Sequence, residues 1–308
     1  MNYVRYKMTF QKGVHFGKRN LEDSEYTFFA DTFFSALCQE AVRFGKEYLD
    51  KLVSITKQGK LVFSDGFPYI EDTFYIPKPM LHINVEKNGD STVKKAYKKL
   101  SYIPSDCLEQ YLKGELDVIS EKNKFKKLGK SSVKNIVAIR GEEEARPYRL
   151  GVFNFEKGCG IYFILGYEDE KDKMFVEEIM EALSFSGIGG KRTSGLGRFD
   201  FYSGKIEEKF VKRLGVSGDL YMTLSTSLPK EDELEEVLED ANYSMIKRSG
   251  FVNSYNYADE FLRKRDLYVL ASGACVKSVF DGDVYDVSEG GKHSVYRYAK
   301  PLFLEVSL

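Results

Sequence analysis

Cysteine is scarce in this sequence and is not arranged for metal binding or cross-linking. The four cysteines, Cys38, Cys107, Cys159 and Cys275, lie far apart and form no C-x-x-C pair, which argues against a zinc site and against a disulfide framework. No apolar run approaches the ~20 residues that span a bilayer, and the first residues alternate between polar and apolar instead of resembling a signal sequence. We therefore expect a soluble, cytoplasmic protein that does not contact a membrane.

An excess of charge of either sign is also absent, and histidine is rare. The 46 basic and 47 acidic residues leave a formal net charge of −1, so binding to a nucleic acid would depend on local basic patches. The three histidines, His15, His82 and His293, are the side chains best suited to act as a general base near neutral pH. The length of 308 residues with 43% hydrophobic content favours two domains with hydrophobic cores.

The chain does contain a dense glycine stretch at residues 187–199. Five glycines, two hydroxyl side chains and three cations fall within these thirteen residues. Glycine adopts positive φ at no steric cost, which lets consecutive amide hydrogens converge on one anion, and lysine and arginine add charge at the same place. We predict a loop that holds phosphate groups. Its candidate binding residues are Gly187, Gly189, Gly190, Lys191, Arg192, Thr193, Ser194 and Gly195.

The familiar nucleotide motifs do not fit this stretch. The Walker pattern requires glycine where Phe185 stands and serine or threonine where Arg192 stands, and the dinucleotide fingerprint fails as well. The flanking patterns predict a helix at 174–186 before the loop and a strand at 198–206 after it, whereas nucleotide loops run from strand to helix. A glycine-rich connection without a ligand is the alternative interpretation.

The order of predicted elements indicates an α+β fold with two ferredoxin-like (RRM-like) domains. A strand at 3–10 is followed by a helix with Asp31 as its N-cap. Strands at 149–155 and 160–166 form a predicted hairpin, and the helix, the glycine loop and the last strand follow it. The resulting order, β-α-β-β-α-β, is typical of the ferredoxin-like fold and defines a first domain at 1–207.

Two further regions complete the predicted organisation. The insertion at about 56–147 is too irregular to be core, and its residues 91–134 carry eleven lysines against five acidic residues, a net charge of +6. Such a stretch is either a solvated surface or an electrostatic thumb that contacts RNA. Residues 208–308 are predicted to be a second, degenerate copy of the fold, with strand-like runs at 220–228, 243–252, 267–275 and 296–306.

The order of motifs along nearly the whole chain resembles a known protein family. Besides the glycine loop, the stretches that carry this resemblance are residues 30–37, 64–69, 75–79, 147–153, 248–252 and 293–298. They resemble the RAMP proteins of CRISPR systems. More closely, they resemble the family of the fourth subunit of the type III-A Csm effector complex, which belongs to the Cas-five group.

The resemblance implies RNA binding rather than catalysis. Proteins of this family bind the 5′ tag of the CRISPR RNA, kink the guide with an inserted thumb, and sit between the large polymerase-like subunit and the repeated backbone RAMP subunit. For this chain the resemblance implies a non-catalytic subunit at the foot of the complex, without cofactor or metal. The RNA-binding candidates outside the glycine loop are His15, Phe16, Lys78, Arg248, Ser249, His293 and Arg297.

Two other functions stay open at this point. A metal-independent endoribonuclease that processes repeat RNA would need a general base near a ribose 2′-hydroxyl, and His15 is the candidate for it. The other interpretation of His15 is an RNA contact or a role in stabilising the loop, while His82 is expected to be structural. Asp31 is interpreted as a helix cap rather than as an RNA-cleaving aspartate. A protein-assembly module without RNA contact fits the near-neutral charge.

Overall fold

A computed structural model describes residues 1–18, 20–84, 91–138, 146–215, 218–254 and 256–307. None of the described helices combines the length and the hydropathy needed to cross a lipid bilayer. The α-helices are α1 (Ala30–Phe44), α2 (Lys46–Lys57), α3 (Ser91–Lys99), α4 (Leu108–Leu112), α5 (Val118–Phe125), α6 (Glu170–Ser186), α7 (Glu208–Arg213) and α8 (Leu234–Leu238).

The strands are mostly short, and the long ones lie in the first two thirds of the chain. They are β1 (Asn2–Phe10), β2 (Phe16–Gly17), β3 (Ser24–Glu25), β4 (Leu61–Phe63), β5 (Phe67–Ile70), β6 (Thr73–Pro77), β7 (Tyr102–Pro104), β8 (Gly129–Ala138), β9 (Arg146–Phe155), β10 (Cys159–Tyr167), β11 (Phe199–Gly204), β12 (Tyr221–Thr223), β13 (Met245–Arg248), β14 (Leu267–Leu270), β15 (Cys275–Val276), β16 (Val284–Asp286), β17 (Tyr296–Tyr298) and β18 (Phe303–Glu305).

Strand β10 lies inside a seven-stranded sheet with the order β11-β1-β10-β5-β6-β7, in which β4 also pairs with β10. The pairs of β10 with β1, β4 and β5 are antiparallel. Because side chains of a strand alternate between the faces of a sheet, Ile161, Phe163 and Leu165 enter one core while Tyr162 and Ile164 enter another. The combination of helices with an antiparallel sheet confirms the predicted α+β class.

Helices α1 and α6 cover one face of this sheet. In α1 the buried side chains Phe33, Phe34 and Leu37 recur at helical spacing, as do Val176 and Ile179 in α6, so each helix presents one apolar stripe to the sheet. The predicted helix and strand around the glycine stretch are confirmed as α6 and β11. They place the loop at one end of the sheet.

The predicted hairpin of strands 149–155 and 160–166 is wrong in its pairing. Both strands exist, but β9 pairs along its whole length with β8. An isolated bridge also joins Phe153 of β9 to Val14. Within the described part of the chain both edges of β10 are paired, because β1 occupies one side and β4 with β5 occupy the other. The turn at Gly158, with φ of 79°, therefore connects two different sheets.

The predicted insertion at 56–147 is also wrong in part. Strands β4, β5, β6 and β7 fall within that range and belong to the seven-stranded sheet. Strands β4 and β5 pair with β10, while β6 pairs with β5 and β7 pairs with β6. Helix α3 lies between β6 and β7 in the chain, and α4, α5 and β8 follow β7. Residues 85–90 and 139–145 of the predicted insertion lie outside the described residues.

The C-terminal part shares a core with the sheet. Met222, Leu224 and Leu304 pack in one cluster with Val62 and Ile164. Strand β12 lies between β15 and β18 in a three-stranded sheet, and β13-β14 and β16-β17 form separate two-stranded sheets. The four strand-like runs predicted after residue 208 each contain described strands. The division at residues 207 and 208 stays a prediction.

Candidate nucleic-acid interface

The glycine loop follows α6 and turns back sharply on itself. The amide of Gly187 donates to the carbonyl of Leu183 at 2.7 Å and ends the helix. Gly197 has φ of 75°, and a Cβ atom there would lie 1.9 Å from the carbonyl oxygen of Ile188. Only glycine fits at a backbone approach this close. The loop is thus shaped by steric needs of its own backbone.

Several amides of the loop are used inside the protein. Ile188 donates to Gly197 at 2.9 Å, Gly190 donates to His15 at 2.8 Å, and Gly197 donates to Gly13 at 3.2 Å. Within the described residues, no hydrogen bond engages the amides of Gly189, Lys191 and Arg192. These three amides remain able to donate to an anion.

His15 and Phe16 lie beneath the loop. The His15 ring is buried, and its Nδ1 atom lies 2.7 Å from the carbonyl oxygen of Gly151. A Cβ atom on Gly190 would lie 2.7 Å from the same ring, so the imidazole supports the loop from below. Phe16 is buried and packs edge-on against Phe28. Of the two roles predicted for His15, this geometry fits loop stabilisation.

A cleft of about 230 Å³ lies between the glycine loop, the start of α1 and the C-terminal part of the chain. Five of the predicted RNA-binding residues line it together: Gly189, Arg192, Arg248, Ser249 and Arg297. They come from distant parts of the sequence, since Gly189 and Arg297 are more than a hundred residues apart. The glycine stretch predicted Gly189 and Arg192, the family resemblance added Arg248, Ser249 and Arg297, and the fold brings all five to one place.

Asp31 lies at the centre of this cleft and is not the N-cap of α1. Its carboxylate accepts hydrogen bonds from Arg248 at 2.9 and 2.8 Å and from Arg297 at 3.1 Å. Burial alone would raise the pKa of Asp31, but the charges and hydrogen bonds of the two arginines outweigh it and hold the pKa below its usual value. The predicted capping role is wrong because α1 begins one residue earlier, at Ala30, and Asp31 faces the C-terminal part.

Asp65 supplies the cap that was assigned to Asp31. Its Oδ1 atom accepts from the amide of Ala30 at 2.7 Å, from the amide of Thr226 at 2.9 Å and from the Thr226 hydroxyl at 3.1 Å. Burial raises the pKa of Asp65 to about 6, against the lowering effect of these hydrogen bonds. One carboxylate therefore connects the first turn of α1 to the C-terminal part.

The cationic side chains of the loop are held in different ways. Arg192 donates to Gln39 at 2.9 Å and lies 3.9 Å from the buried carboxylate of Glu40. The Lys191 ammonium lies 4.6 Å above the ring of Tyr148 on strand β9. The remaining tip residues, Thr193 and Ser194, are exposed. The loop is therefore docked on α1 and on the β8-β9 hairpin.

Lys78 and His293 do not line the cleft. The Lys78 ammonium donates to the carbonyls of Tyr97 and Lys98, at the end of α3, at 3.3 and 3.1 Å. His293 is exposed, and its Nε2 atom lies 2.9 Å from the hydroxyl of Ser254. Ser254 directly follows a residue that lines the cleft, so His293 lies near its rim.

The lysines of the lysine-rich stretch lie on the surface. All eleven of its lysines are exposed, and ion pairs join Lys124 to Glu121 at 2.6 Å and Lys130 to Glu156 at 3.2 Å. The basic surface that the sequence predicts is thus present on α3, α5 and β8.

Known proteins with the same sequence pattern identify the family. A family model of the RAMP superfamily matches residues 14–200, and a model described as the CRISPR Csm4 C-terminal domain matches residues 217–306. The CRISPR system Cms protein Csm4 of Mycobacterium tuberculosis (strain CDC 1551 / Oshkosh) is 39% identical over 306 residues, covering 99% of this chain and 98% of that protein. The chain belongs to the Csm4 family. Csm4 of Streptococcus thermophilus is 33% identical and covers 100% of both chains. The predicted RAMP and fourth-subunit assignment is confirmed.

Solved Csm4 structures share this fold. A chain in the crystal structure of the Csm3-Csm4 subcomplex of the type III-A CRISPR-Cas interference complex matches with a TM-score of 0.68 and 20% identity, covering 99% of both chains. A chain in the Csm1-Csm4 cassette in complex with AMPPNP matches with a TM-score of 0.60 and 18% identity, covering 99% of this chain and 98% of that one.

Sequence reasoning missed two residues in or near the cleft. Asp65 lies in a stretch that carries the family resemblance, but nothing in the sequence indicates that its carboxylate reaches two distant backbone amides. Lys264 lines the cleft and was not singled out. The signal that was available for Lys264 is the run of three consecutive cations at residues 263–265.

Proposed function

We propose that this chain is a cytoplasmic, non-catalytic RNA-binding subunit of a type III-A Csm complex and that it holds the 5′ tag of the CRISPR RNA. The observation that carries this proposal is the cleft in which the glycine loop meets Arg248 and Arg297. Free loop amides and guanidinium groups are the donors that bind phosphate oxygens. The exposed lysines of α3, α5 and β8 extend the positive surface along which a single strand would run.

The proposal includes contacts with two protein partners. The matching solved structures contain Csm4 together with Csm3 and with Csm1. By this likeness, we propose that the chain binds the repeated backbone RAMP subunit and the large polymerase-like subunit. It would connect the two at the foot of the complex.

We also propose that the chain consists of two ferredoxin-like domains with an inserted thumb. In the first, β1, α1, the β4-β5 segment, β10, α6 and β11 follow one another, and their strands pair in the order β11-β1-β10-β5. This is the order of a β-α-β-β-α-β unit. In the second, β18-β12-β15 repeats three positions of that order, which supports a degenerate copy. The β8-β9 hairpin with the lysine-rich helices would form the thumb.

The absence of RNA cleavage is part of the proposal. His15 was the candidate general base, but its Nδ1 atom is engaged by a backbone carbonyl and its ring is buried under the loop. Asp31 is held ionised between two guanidinium groups, so it is a weak proton acceptor. Incubation of the purified chain with repeat RNA should leave the RNA intact. Cleavage that disappears in His15→Ala would establish the endoribonuclease instead.

A charge reversal in the loop tests RNA binding. Complexes assembled with Lys191→Glu and Arg192→Glu together should retain less CRISPR RNA, and the retention should depend less steeply on salt, because two cations near phosphates are lost. The matched control is Lys171→Glu with Lys212→Glu, which changes the charge equally on exposed helical positions. Unchanged retention in the loop variant would favour an assembly module without RNA contact.

A further inference from the structure

The cleft contains more positive charge than its single carboxylate can neutralise. Arg248, Arg297 and Lys264 all line it, and Asp31 is its only acidic lining residue among the described residues. Three cations and one carboxylate leave a local charge of about +2, before Arg192 is counted. Arg192 has its own acidic neighbour in Glu40. The cleft is thus a place where an anion is favoured.

Among the described residues that line the cleft, Lys264 is the cation without a hydrogen-bond or ion-pair partner. Both oxygens of Asp31 are occupied by the arginines, and within the described part of the chain the Lys264 ammonium makes neither a hydrogen bond nor an ion pair. Its backbone is fixed, because its amide donates to the carbonyl of Gly250 at 2.8 Å. The Lys264 side chain therefore lines the cleft from a backbone position that this hydrogen bond fixes.

The surroundings of Lys264 oppose its charge. The side chain is half-buried, and burial, followed by repulsion from Arg297, lowers the pKa of its ammonium, while attraction to Asp31 acts in the opposite direction. Holding an unpaired cation away from water costs stability unless an anion compensates it. A residue that weakens the free protein in this way is typical of a binding site.

Neutral donors complete the site. The hydroxyl groups of Ser35 and Ser249 line the same cleft, and neither makes a hydrogen bond within the described residues. The cleft, at about 230 Å³, is smaller than the roughly 300–1,000 Å³ of sites for drug-sized ligands. Its size suits one phosphate with its sugar.

We propose that this cleft is a phosphate subsite in which Lys264, with Arg248 and the serine hydroxyls, binds one phosphodiester of a single-stranded RNA. The assignment rests on the proposed RNA-binding function and locates one defined contact within it. Because residues of both parts of the chain line the cleft, the phosphate bridges the glycine loop and the C-terminal part. Lys264 contributes a positive charge that forms no ion pair with any carboxylate of the described residues.

The test measures binding of the full-length chain to a fluorescent single-stranded RNA of the repeat-tag sequence at several salt concentrations. Lys264→Met should weaken binding roughly fivefold to tenfold, as expected for the loss of one charge-assisted phosphate contact, and should flatten the log–log salt slope by about 0.7. Lys264→Arg should retain most of the affinity. Lys212→Met, on the exposed face of α7, is the control and should bind like the wild type.

A modified RNA locates the contact. Replacing one linkage at a time with an uncharged methylphosphonate should weaken wild-type binding at the linkage that Lys264 holds, and that replacement should have no further effect in Lys264→Met. Thermal unfolding of Lys264→Met should be equal to or higher than that of the wild type, since an unpaired cation is removed. Weaker RNA binding would then not result from misfolding.

The outcomes separate the two proposals. If Lys264→Met binds RNA with wild-type affinity and salt slope while the Lys191 and Arg192 charge reversal weakens binding, the subsite is refuted and the proposed function stands. If the wild-type chain has no affinity for the RNA, the proposed function itself is refuted. Loss of folding in Lys264→Met would also overturn the subsite, because it would make Lys264 a structural residue.

Discussion

Replacing Asp31 with asparagine tests whether one carboxylate joins the two parts of the chain. In the folded protein this carboxylate accepts three hydrogen bonds, of 2.8 to 3.1 Å, from two guanidinium groups. The Arg297 side chain is only 5% exposed and cannot be rehydrated, while that of Arg248 is 21% exposed. Asparagine removes the negative charge and points an amide donor at a cation.

The expected loss follows from these contacts. Removing one partner of a buried ion pair costs about 3–5 kcal/mol, and the partial exposure of Arg248 favours the lower end, about 3 kcal/mol. For a chain of this size we expect the melting temperature to fall by roughly 6–10 °C. Because the pKa of Asp31 lies below its unfolded value, its contribution is present above about pH 4 and is lost as the pH falls further.

Urea denaturation of the full-length chain at neutral pH measures this loss. Asp72→Asn is the control, because Asp72 is fully exposed and lies 3.9 Å from Lys7; it should change stability by less than about 0.5 kcal/mol. If Asp31→Asn were as stable as the control, the ion-pair cluster would not hold the C-terminal part to α1, and the reasoning about the cleft would fail with it.

Two further substitutions test the backbone contacts around the site. The pKa of Asp65 rises from the ordinary value of 3.8 to about 6 in the folded protein. The unfolding free energy should therefore fall by about 3 kcal/mol as the pH rises from about 4 to about 6. Asp65→Asn should remove that slope in pH-dependent denaturation, and an unchanged slope would assign it to another group. Gly197→Ala should destabilise the chain by several kcal/mol, at least about 2, because of the 1.9 Å approach and the positive φ. Gly204→Ala, where the nearest atom lies 3.9 Å away, should change little, and equal melting temperatures for the two variants would refute the steric argument.

Local patterns were sufficient for the elements that flank the loop. The alternation of residues 3–10 predicted a strand, and β1 runs from Asn2 to Phe10. The apolar spacing of 174–186 predicted the helix α6, and the alternation after residue 198 predicted β11. Each of these signals depends on neighbours within a few residues, because helix and strand periodicity are local properties.

Pairing between distant segments could not be derived in the same way. Strand β9 and strand β10 are adjacent in sequence and separated by a turn, which is the usual signal of a hairpin. Whether they pair depends on which other strands compete for the edges of β10, and β4 with β5 come from nearly a hundred residues earlier. Sequence patterns carry no information on such competition, so the pairing was predicted wrongly.

The site shows the same division between local and distant information. Asp31 was a reasonable N-cap from its position before an apolar run, yet the structure uses Asp65 for that purpose. The roles differ because the C-terminal part brings two arginines to Asp31, and brings the amide and the hydroxyl of Thr226 to Asp65. The resemblance to the RAMP family located Arg248 and Arg297, but it did not include Lys264.

The glycine stretch contains glycines that the backbone geometry requires and cations that it does not require. Gly187, Gly189 and Gly197 are needed because added Cβ atoms would come within 3 Å of neighbouring backbone oxygens, so these positions would be glycine even in a loop without a ligand. Lys191 and Arg192 have no such steric reason, and inside the protein they contact the Tyr148 ring and the side chains of Gln39 and Glu40. The alternative of a bare glycine-rich connection therefore explains the glycines, and the charge reversal at Lys191 and Arg192 decides whether these cations only dock the loop or also bind RNA. Contacts with RNA should accordingly be sought at the free amides and cations of residues 189–192.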